Sequence, residues 1–101
     1  MIWMLKSERN FKIELLALLI NLTLIVHLKL STTDAAIIFG VCFLVLIAET
    51  INTAIEKLCD FVEPKLNEKI GLIKDLAAAS VLIAAALAII VGVLIYPQYI
   101  F

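Results

Sequence analysis

The feature that most constrains this chain is a long apolar run near its C-terminus, residues 76–96, which carries no charged side chain and stops at Pro97. A helix that crosses a bilayer needs about 20 predominantly apolar residues. Two shorter apolar stretches precede this run, residues 15–28 and 35–48, and the second continues with a helical pattern to about residue 56. The pattern therefore predicts three transmembrane helices in a single domain that covers residues 1–101.

The composition favours the same class of protein. The chain has 101 residues, of which 64% are hydrophobic and 17% charged, and a soluble domain of this size has too little interior to bury so much apolar surface. We therefore predict an all-α membrane protein with three transmembrane helices and a short N-terminal segment at the membrane interface. No basic patch with interleaved aromatic residues is present, so no nucleic-acid partner is expected.

Basic residues indicate the orientation of the spans. Three precede the first apolar stretch and four lie between the second and the third, whereas Lys29 alone lies between the first and the second. The positive-inside rule then places the N-terminus and residues 57–75 in the cytoplasm and the C-terminus on the opposite side of the membrane. Three spans make a thin bundle, and small residues at four-residue spacing (Ala84, Ala88 and Gly92) allow close helix packing, so we expect self-association.

Polar residues also occur within the first span, and aromatic residues occur at the outer end of the third. Asn21 and Thr23 interrupt the first apolar stretch, and we expect both to form hydrogen bonds between helices. Tyr96 ends the third apolar run and Tyr99 follows it, at a level where amphipathic rings commonly sit at the membrane interface. We interpret them as interfacial anchors.

A ladder of acids follows the second apolar stretch, in the sequence AETINTAIEKLCD at residues 48–60. At about 100° per residue on a helix, Glu49, Asn52, Thr53, Glu56 and Asp60 fall within an arc of about 100°. A polar helix end that reaches into the headgroups explains Asp60, but it explains Glu49 poorly because an acid inside a span is costly. The pattern favours an oxygen-rich site for a hard cation, with one acid left over as a base.

Two further polar segments reach the same level of the membrane. Glu8 precedes the first span, and Lys74 and Asp75 stand where the third begins. Carboxylates and an amide suit Mg²⁺, and a lysine beside them suits a polyphosphate, so the set has the parts needed for phosphoryl transfer. No GxxxxGK[ST] loop and no GxGxxG motif occurs, so a kinase with this sequence has neither common nucleotide cradle.

Three blocks of this sequence resemble a known family. The blocks are E-R-N-F-K-I, E-T-I-N-T-A-I-E-K-L-C-D and G-L-I-K-D-L-A-A-A-S-V, and they are similar to the prokaryotic diacylglycerol kinases and the related undecaprenol kinases. The resemblance covers roughly residues 7–96. It implies a homotrimer with active sites shared between neighbouring chains, and it implies transfer of the γ-phosphate of ATP, with Mg²⁺, to the hydroxyl group of a membrane lipid.

The resemblance also implies roles for the acidic ladder. Glu49 matches the catalytic base, which takes the proton of the lipid hydroxyl, and Asn52 matches a residue that positions the base and the phosphates. Glu8 and Glu56 match the acids that hold the metal ions. In this interpretation the chemistry belongs to the second span and the segment before the first.

The remaining matched residues are implied to serve the nucleotide. Lys74 matches a phosphate contact, and Asp75 a contact nearer to the sugar or base. Glu14 falls where some members carry an acid near the nucleotide, and Asp60 has a supporting role on the same stripe as Glu56.

Some features leave alternatives open. The stretch before Ser7 is shorter than is usual in the family, and Leu66 and Asn67 replace a Tyr-His pair that is common there. A catalytically weak or inactive homologue, acting as a small membrane assembly or regulatory protein, is therefore the main alternative. A cation pathway along Glu49 and Glu56 is a weaker one because the third span lacks polar groups in its outer half. Diacylglycerol and undecaprenol both remain candidate substrates.

Overall fold

The computed structural model describes residues 9–62 and 68–101, and within these two ranges the chain is helical and contains no strand. The helices are α1 (Arg9–His27), α2 (Thr32–Val62), α3 (Glu68–Ile95) and the short α4 (Pro97–Ile100). This confirms the predicted all-α class. Glu8 and the rest of the predicted interfacial segment at residues 1–8, together with Leu66 and Asn67, lie outside the described residues.

Two helical segments in the described ranges are long and apolar enough to cross a membrane, Thr32–Val62 and Glu68–Ile100. The helix α2 has 31 residues and is therefore about 46 Å long at 1.5 Å per residue, which exceeds the ~30 Å hydrocarbon core of a bilayer. It runs without a break past residue 56, where its predicted end lay. The apolar residues and the acidic ladder therefore belong to one continuous helix.

The helices pack in chain order. The contact between α1 and α2 is centred on Phe11, Leu18 and Leu46, which form a buried hydrophobic cluster. The helix α2 also packs along α3, whereas no direct packing joins α1 to α3 within the described residues. A cavity of about 300 Å³ is lined by residues of all three helices, among them Glu14 and Ala88. The helix α2 is thus the central element of the bundle.

A tight turn joins α1 to α2. Lys29 has a left-handed backbone with φ 56°, and the Leu30 N–H donates to the Ile25 carbonyl oxygen over 3.2 Å, which is the bond of a Schellman C-cap. At the start of α2, the Ser31 Oγ accepts a hydrogen bond from the Asp34 N–H over 3.1 Å, as an N-cap residue does. These caps fix the antiparallel course of α1 and α2.

The C-terminal residues fold back onto this turn. Pro97 cannot continue α3, because it has no N–H to donate, and it begins α4. From α4, the Tyr99 hydroxyl donates to Asp34 Oδ2 over 2.6 Å and accepts from the Ser31 N–H over 3.1 Å. The C-terminal turn is thereby attached to the start of α2.

A second tyrosine, Tyr96 at the junction of α3 and α4, bonds to α1. The Tyr96 hydroxyl donates to Asn21 Oδ1 over 2.5 Å, so the predicted interhelical hydrogen bond of Asn21 is confirmed. The prediction for Thr23 is wrong, because its hydroxyl donates to the Leu19 carbonyl oxygen of its own helix. A threonine can satisfy its hydroxyl on the preceding helical turn, and it then needs no partner on another helix.

Large apolar side chains cover the outside of the protomer. Val26 on α1, Phe61 on α2, and Leu82 and Ile83 on α3 are all exposed. Apolar surface of this extent is characteristic of contact with lipid or with other subunits.

Candidate active site

The acidic ladder lies along one face of α2, and its burial decreases toward the end of the helix. Glu49, Asn52 and Thr53 are 5%, 8% and 4% exposed, Glu56 is half-buried and Asp60 is exposed. The helical spacing predicted this common face. Buried carboxyl and carboxamide groups are uncommon in proteins unless they are paired or serve a site, so the inner part of this face marks the candidate site.

Asn52 is satisfied on one side only. Its Nδ2 donates to Glu56 Oε1 over 3.3 Å, one helical turn further on. Its Oδ1 is buried and has no hydrogen-bond partner among the described residues. Leaving a buried acceptor unpaired costs about 1–3 kcal/mol, and a ligand that binds this oxygen removes the cost.

A carboxyl group from α1 meets the ladder at Glu49. The side chains of Glu14 and Glu49 lie close enough to share a hydrogen bond, while Glu14 Oε2 is buried without a partner in the described part of the chain. An ionised carboxylate only accepts hydrogen bonds, so a bond between two carboxyl groups requires a proton on one of them. The structure therefore makes Glu14 a neighbour of the predicted base, a contact that the sequence pattern did not indicate.

A lysine from α3 meets the ladder at its exposed end. Lys74 Nζ lies 2.5 Å from Asp60 Oδ1. Both residues lie outside the uncharged runs of their helices. The hydrogen bond to Asp60 raises the pKa of Lys74, and the negative charge of Glu56 adds to this effect. The same bond lowers the pKa of Asp60. Lys74 is therefore a fixed cation beside two acids of α2.

Asp75, the neighbour of Lys74, is exposed on α3. Because α3 begins at Glu68, Lys74 and Asp75 stand well inside a helix rather than at its first turn. The structure thus brings the predicted residues together in two groups along one face of α2. Glu14 of α1 meets Glu49, and Lys74 of α3 lies beside Asp60 and Glu56.

The oxygen ligands around Glu56 and Asn52 can be compared with those that Mg²⁺ requires. No group of three or more His, Cys, Asp or Glu side chains with metal-binding geometry occurs in residues 9–62 and 68–101, and Glu8 lies outside them. Mg²⁺ that accompanies a nucleotide is typically held by one or two protein carboxylates, with phosphate oxygens and water completing its shell. The Glu56 carboxylate and the unpaired Asn52 oxygen, one turn apart, fit the protein part of such a site.

Sequence reasoning missed two of these contacts. The ion pair was predictable, because Asp60 lies near the end of α2 and the oppositely charged Lys74 lies near the start of α3, the next helix in the chain. No sequence signal indicates that Glu14 meets Glu49, because the contact depends on how α1 is rotated against α2.

The described residues thus contain two helical segments that are long and apolar enough to cross a membrane, and a polar face of α2 that is buried at Glu49 and exposed at Asp60. The family model described as prokaryotic diacylglycerol kinase matches residues 1–96. The chain belongs to this family.

Two curated relatives illustrate the similarity. A diacylglycerol kinase of Synechocystis sp. is 36% identical over 87 residues, which cover 85% of this chain and 50% of the relative. A diacylglycerol kinase of Escherichia coli K12 is 31% identical over 84 residues, which cover 83% of this chain and 69% of the relative. The chain thus spans half the length of the first relative and about two thirds of the second.

Proposed function

We propose that this protein is a lipid kinase that transfers the γ-phosphoryl group of ATP to the hydroxyl group of a membrane lipid at the cytoplasmic surface of the membrane. The observation that carries the proposal is the face of α2 on which buried Glu49 and Asn52 lead to Glu56, with Lys74 of α3 beside it. Going from the apolar part of α2 toward its C-terminal end, one thus meets a base, then oxygen ligands for a metal ion, and then a cation of α3 that can bind phosphate. Membership of the family supports the same activity.

In the transfer step, one proton moves, one bond forms and one bond breaks. The Glu49 carboxylate accepts the proton of the lipid hydroxyl, whose oxygen forms a bond to the γ-phosphorus. The bond from that phosphorus to the β–γ bridging oxygen breaks, and ADP leaves. The hydrogen bond between Glu14 and Glu49 suits this role, because one proton shared by two carboxyl groups leaves one of them ionised and able to act as a general base.

Asn52, Glu56 and Lys74 serve the nucleotide in this mechanism. Bound Mg²⁺ neutralises the charge that develops on the phosphates, and Glu56 with the Asn52 oxygen would hold it, joined by Glu8. The Lys74 ammonium group, a compact cation with three donors, binds phosphate oxygens. Asp75 on the same helix is proposed to contact the sugar or base.

The proposed position of the site at a membrane surface supports a lipid as the substrate. Glu49 follows directly on an apolar stretch of α2, so the acceptor hydroxyl belongs to a lipid whose hydrocarbon part remains in the bilayer. Diacylglycerol is the first candidate, since the curated relatives are named for it, and undecaprenol is the second.

We further propose that the protein is a homotrimer in the inner membrane with three spans per protomer and a cytoplasmic N-terminus. The exposed apolar side chains on α1, α2 and α3 support burial against lipid and neighbouring protomers. The lysines of the α2 and α3 ends near the candidate site support a cytoplasmic location for that end.

The proposal is tested by incubating purified protein with labelled ATP and Mg²⁺ in mixed micelles that contain diacylglycerol in one arm and undecaprenol in the other. We expect a labelled phospholipid in at least one arm, and no product from the Glu49→Gln variant. Absence of product in both arms contradicts the kinase assignment and favours an inactive homologue. The mass of the purified protein in detergent tests the trimer independently.

A further inference from the structure

The ion pair between Asp60 and Lys74 joins two helices at the rim of the candidate site. Asp60 lies in the last turn of α2 and Lys74 lies in the second turn of α3. The Lys74 ammonium group donates directly to Asp60 Oδ1, and a hydrogen bond between two charged groups is stronger than one between neutral groups. The pair therefore fixes where the Lys74 ammonium group stands relative to the acidic face of α2.

Global stability does not account for this contact. Both side chains are well exposed, 37% for Lys74 and 57% for Asp60, and exposed ion pairs add little to folding because water and salt screen them. The helices α2 and α3 already pack along their length. The pair is therefore expected to act locally, on the lysine itself.

Direct binding of a nucleotide by Asp60 is also disfavoured. A carboxylate repels the phosphate oxygens of ATP, and Asp60 has its Oδ1 engaged by Lys74. The long lysine side chain, in contrast, loses much rotamer freedom whenever it is fixed on a ligand. An acid that holds this side chain in advance reduces the cost of fixing it when phosphate binds.

We infer that Asp60 is a positioning residue: it holds the Lys74 ammonium group next to Glu56, so that the donors not used by Asp60 meet a nucleotide phosphate. This inference rests on the proposed kinase function and deepens it, because it removes Asp60 from the residues that touch the nucleotide. Lysine has three donors, of which Asp60 uses one. The negative charge of Glu56, the proposed Mg²⁺ ligand, also acts on Lys74, and the other two donors remain available to a phosphate bound to that ion.

A double-mutant cycle tests the inference. Asp60→Asn, Lys74→Gln and the double variant are assayed for the KM for ATP, for kcat and for the Kd of ATP by titration calorimetry in detergent. We expect Asp60→Asn to raise KM and Kd about two- to tenfold, which is the cost of ordering one long side chain, with kcat nearly unchanged. On the Lys74→Gln background, Asp60→Asn should have no further effect, because it has no lysine to position.

Two controls separate positioning from other effects. Asp60→Glu keeps the charge and should recover part of the affinity lost in Asp60→Asn. Glu68→Gln removes one acid from the first turn of α3 and should leave both constants unchanged, since a simple loss of negative charge is not the proposed cause.

Several results would overturn the inference. These are an equal effect of Asp60→Asn with and without Lys74, a tighter affinity for ATP in Asp60→Asn, or a lower melting temperature with unchanged KM and Kd. If the wild-type protein phosphorylates no lipid, the kinase proposal fails, and the calorimetric Kd values still decide the role of Asp60. If the wild-type protein does not bind ATP, the inference about Asp60 fails as well.

Discussion

Asn52 donates a hydrogen bond to Glu56 across one turn of α2, while its own side-chain oxygen is buried without a partner in the part of the chain that the structure describes. The two polar atoms of this carboxamide therefore have different roles. Its nitrogen orients a carboxylate, and its oxygen carries a desolvation cost that a bound ligand removes.

The first prediction concerns this cost. Asn52→Leu removes the unpaired buried oxygen, so we expect the free energy of unfolding to stay the same or rise by about 1 kcal/mol. We expect lipid phosphorylation to fall by at least about 100-fold, because misplacement of a positioning group has effects of that order. Thermal unfolding in detergent and initial rates are the measurements.

A matched control for this variant is Thr53→Val, which changes the adjacent buried side chain at nearly constant size. It should keep activity of the wild-type order. An Asn52→Leu protein that is both stable and fully active would show that the unpaired oxygen serves no ligand.

The second prediction separates the two carboxyl groups of the Glu14–Glu49 pair. Glu49→Gln should reduce the transfer rate by about 10²–10⁴-fold, the usual contribution of a general base. Glu14→Gln supplies an amide that donates to Glu49 without a shared proton, so Glu49 stays ionised and most of the activity should remain. Initial rates of both variants are compared at saturating ATP and lipid.

The assembly state of both variants is checked by size-exclusion chromatography in detergent, so that a loss of rate is not a loss of structure. Equal rates for the two variants would contradict the assignment of Glu49 as the base and of Glu14 as its partner.

The third prediction concerns the metal site. Glu56→Gln replaces a carboxylate by a neutral amide, and we expect the Mg²⁺ concentration for half-maximal activity to rise steeply because Mg²⁺ prefers charged oxygen ligands. The measurement is a Mg²⁺ titration of activity at fixed ATP. The control is Glu68→Gln, on the first turn of α3, which should leave the titration curve unchanged. An unchanged curve for Glu56→Gln would exclude Glu56 as a metal ligand.

The fourth prediction concerns the far end of the protein. Tyr96→Phe removes the donor to Asn21 and should lower the free energy of unfolding by about 1 kcal/mol, the net value of such a bond. Activity should be unchanged, because the pair lies at the opposite end of α3 from Lys74. Thermal unfolding in detergent, followed by circular dichroism, is the measurement.

Adding Asn21→Leu to Tyr96→Phe should recover most of the lost stability, since it removes the acceptor that the first change leaves unpaired. If the double variant is less stable than Tyr96→Phe alone, the side chains contribute by packing rather than through the hydrogen bond.

The sequence was sufficient to predict the helices and the common face of the acids. Long uncharged runs indicate spans, and the helical period places Glu49 and Glu56 on one side of α2, because both properties are local. The contact of Glu14 with Glu49 and the attachment of Tyr99 to the start of α2 were not predictable. Both depend on how separate helices are rotated and where the chain turns back after Pro97.

Because α2 is one unbroken helix, the rotation of its apolar stretch about the helix axis also sets the direction in which the acids that follow it point. One residue inserted between Gly40 and Ala48 rotates everything that follows by about 100°, and Glu49, Asn52 and Glu56 would then turn away from α1 and α3 together. Within residues 9–62 no flexible joint interrupts α2 to absorb such a rotation. The number of residues in this apolar stretch therefore matters as much for the position of the acids as the identity of the acids themselves.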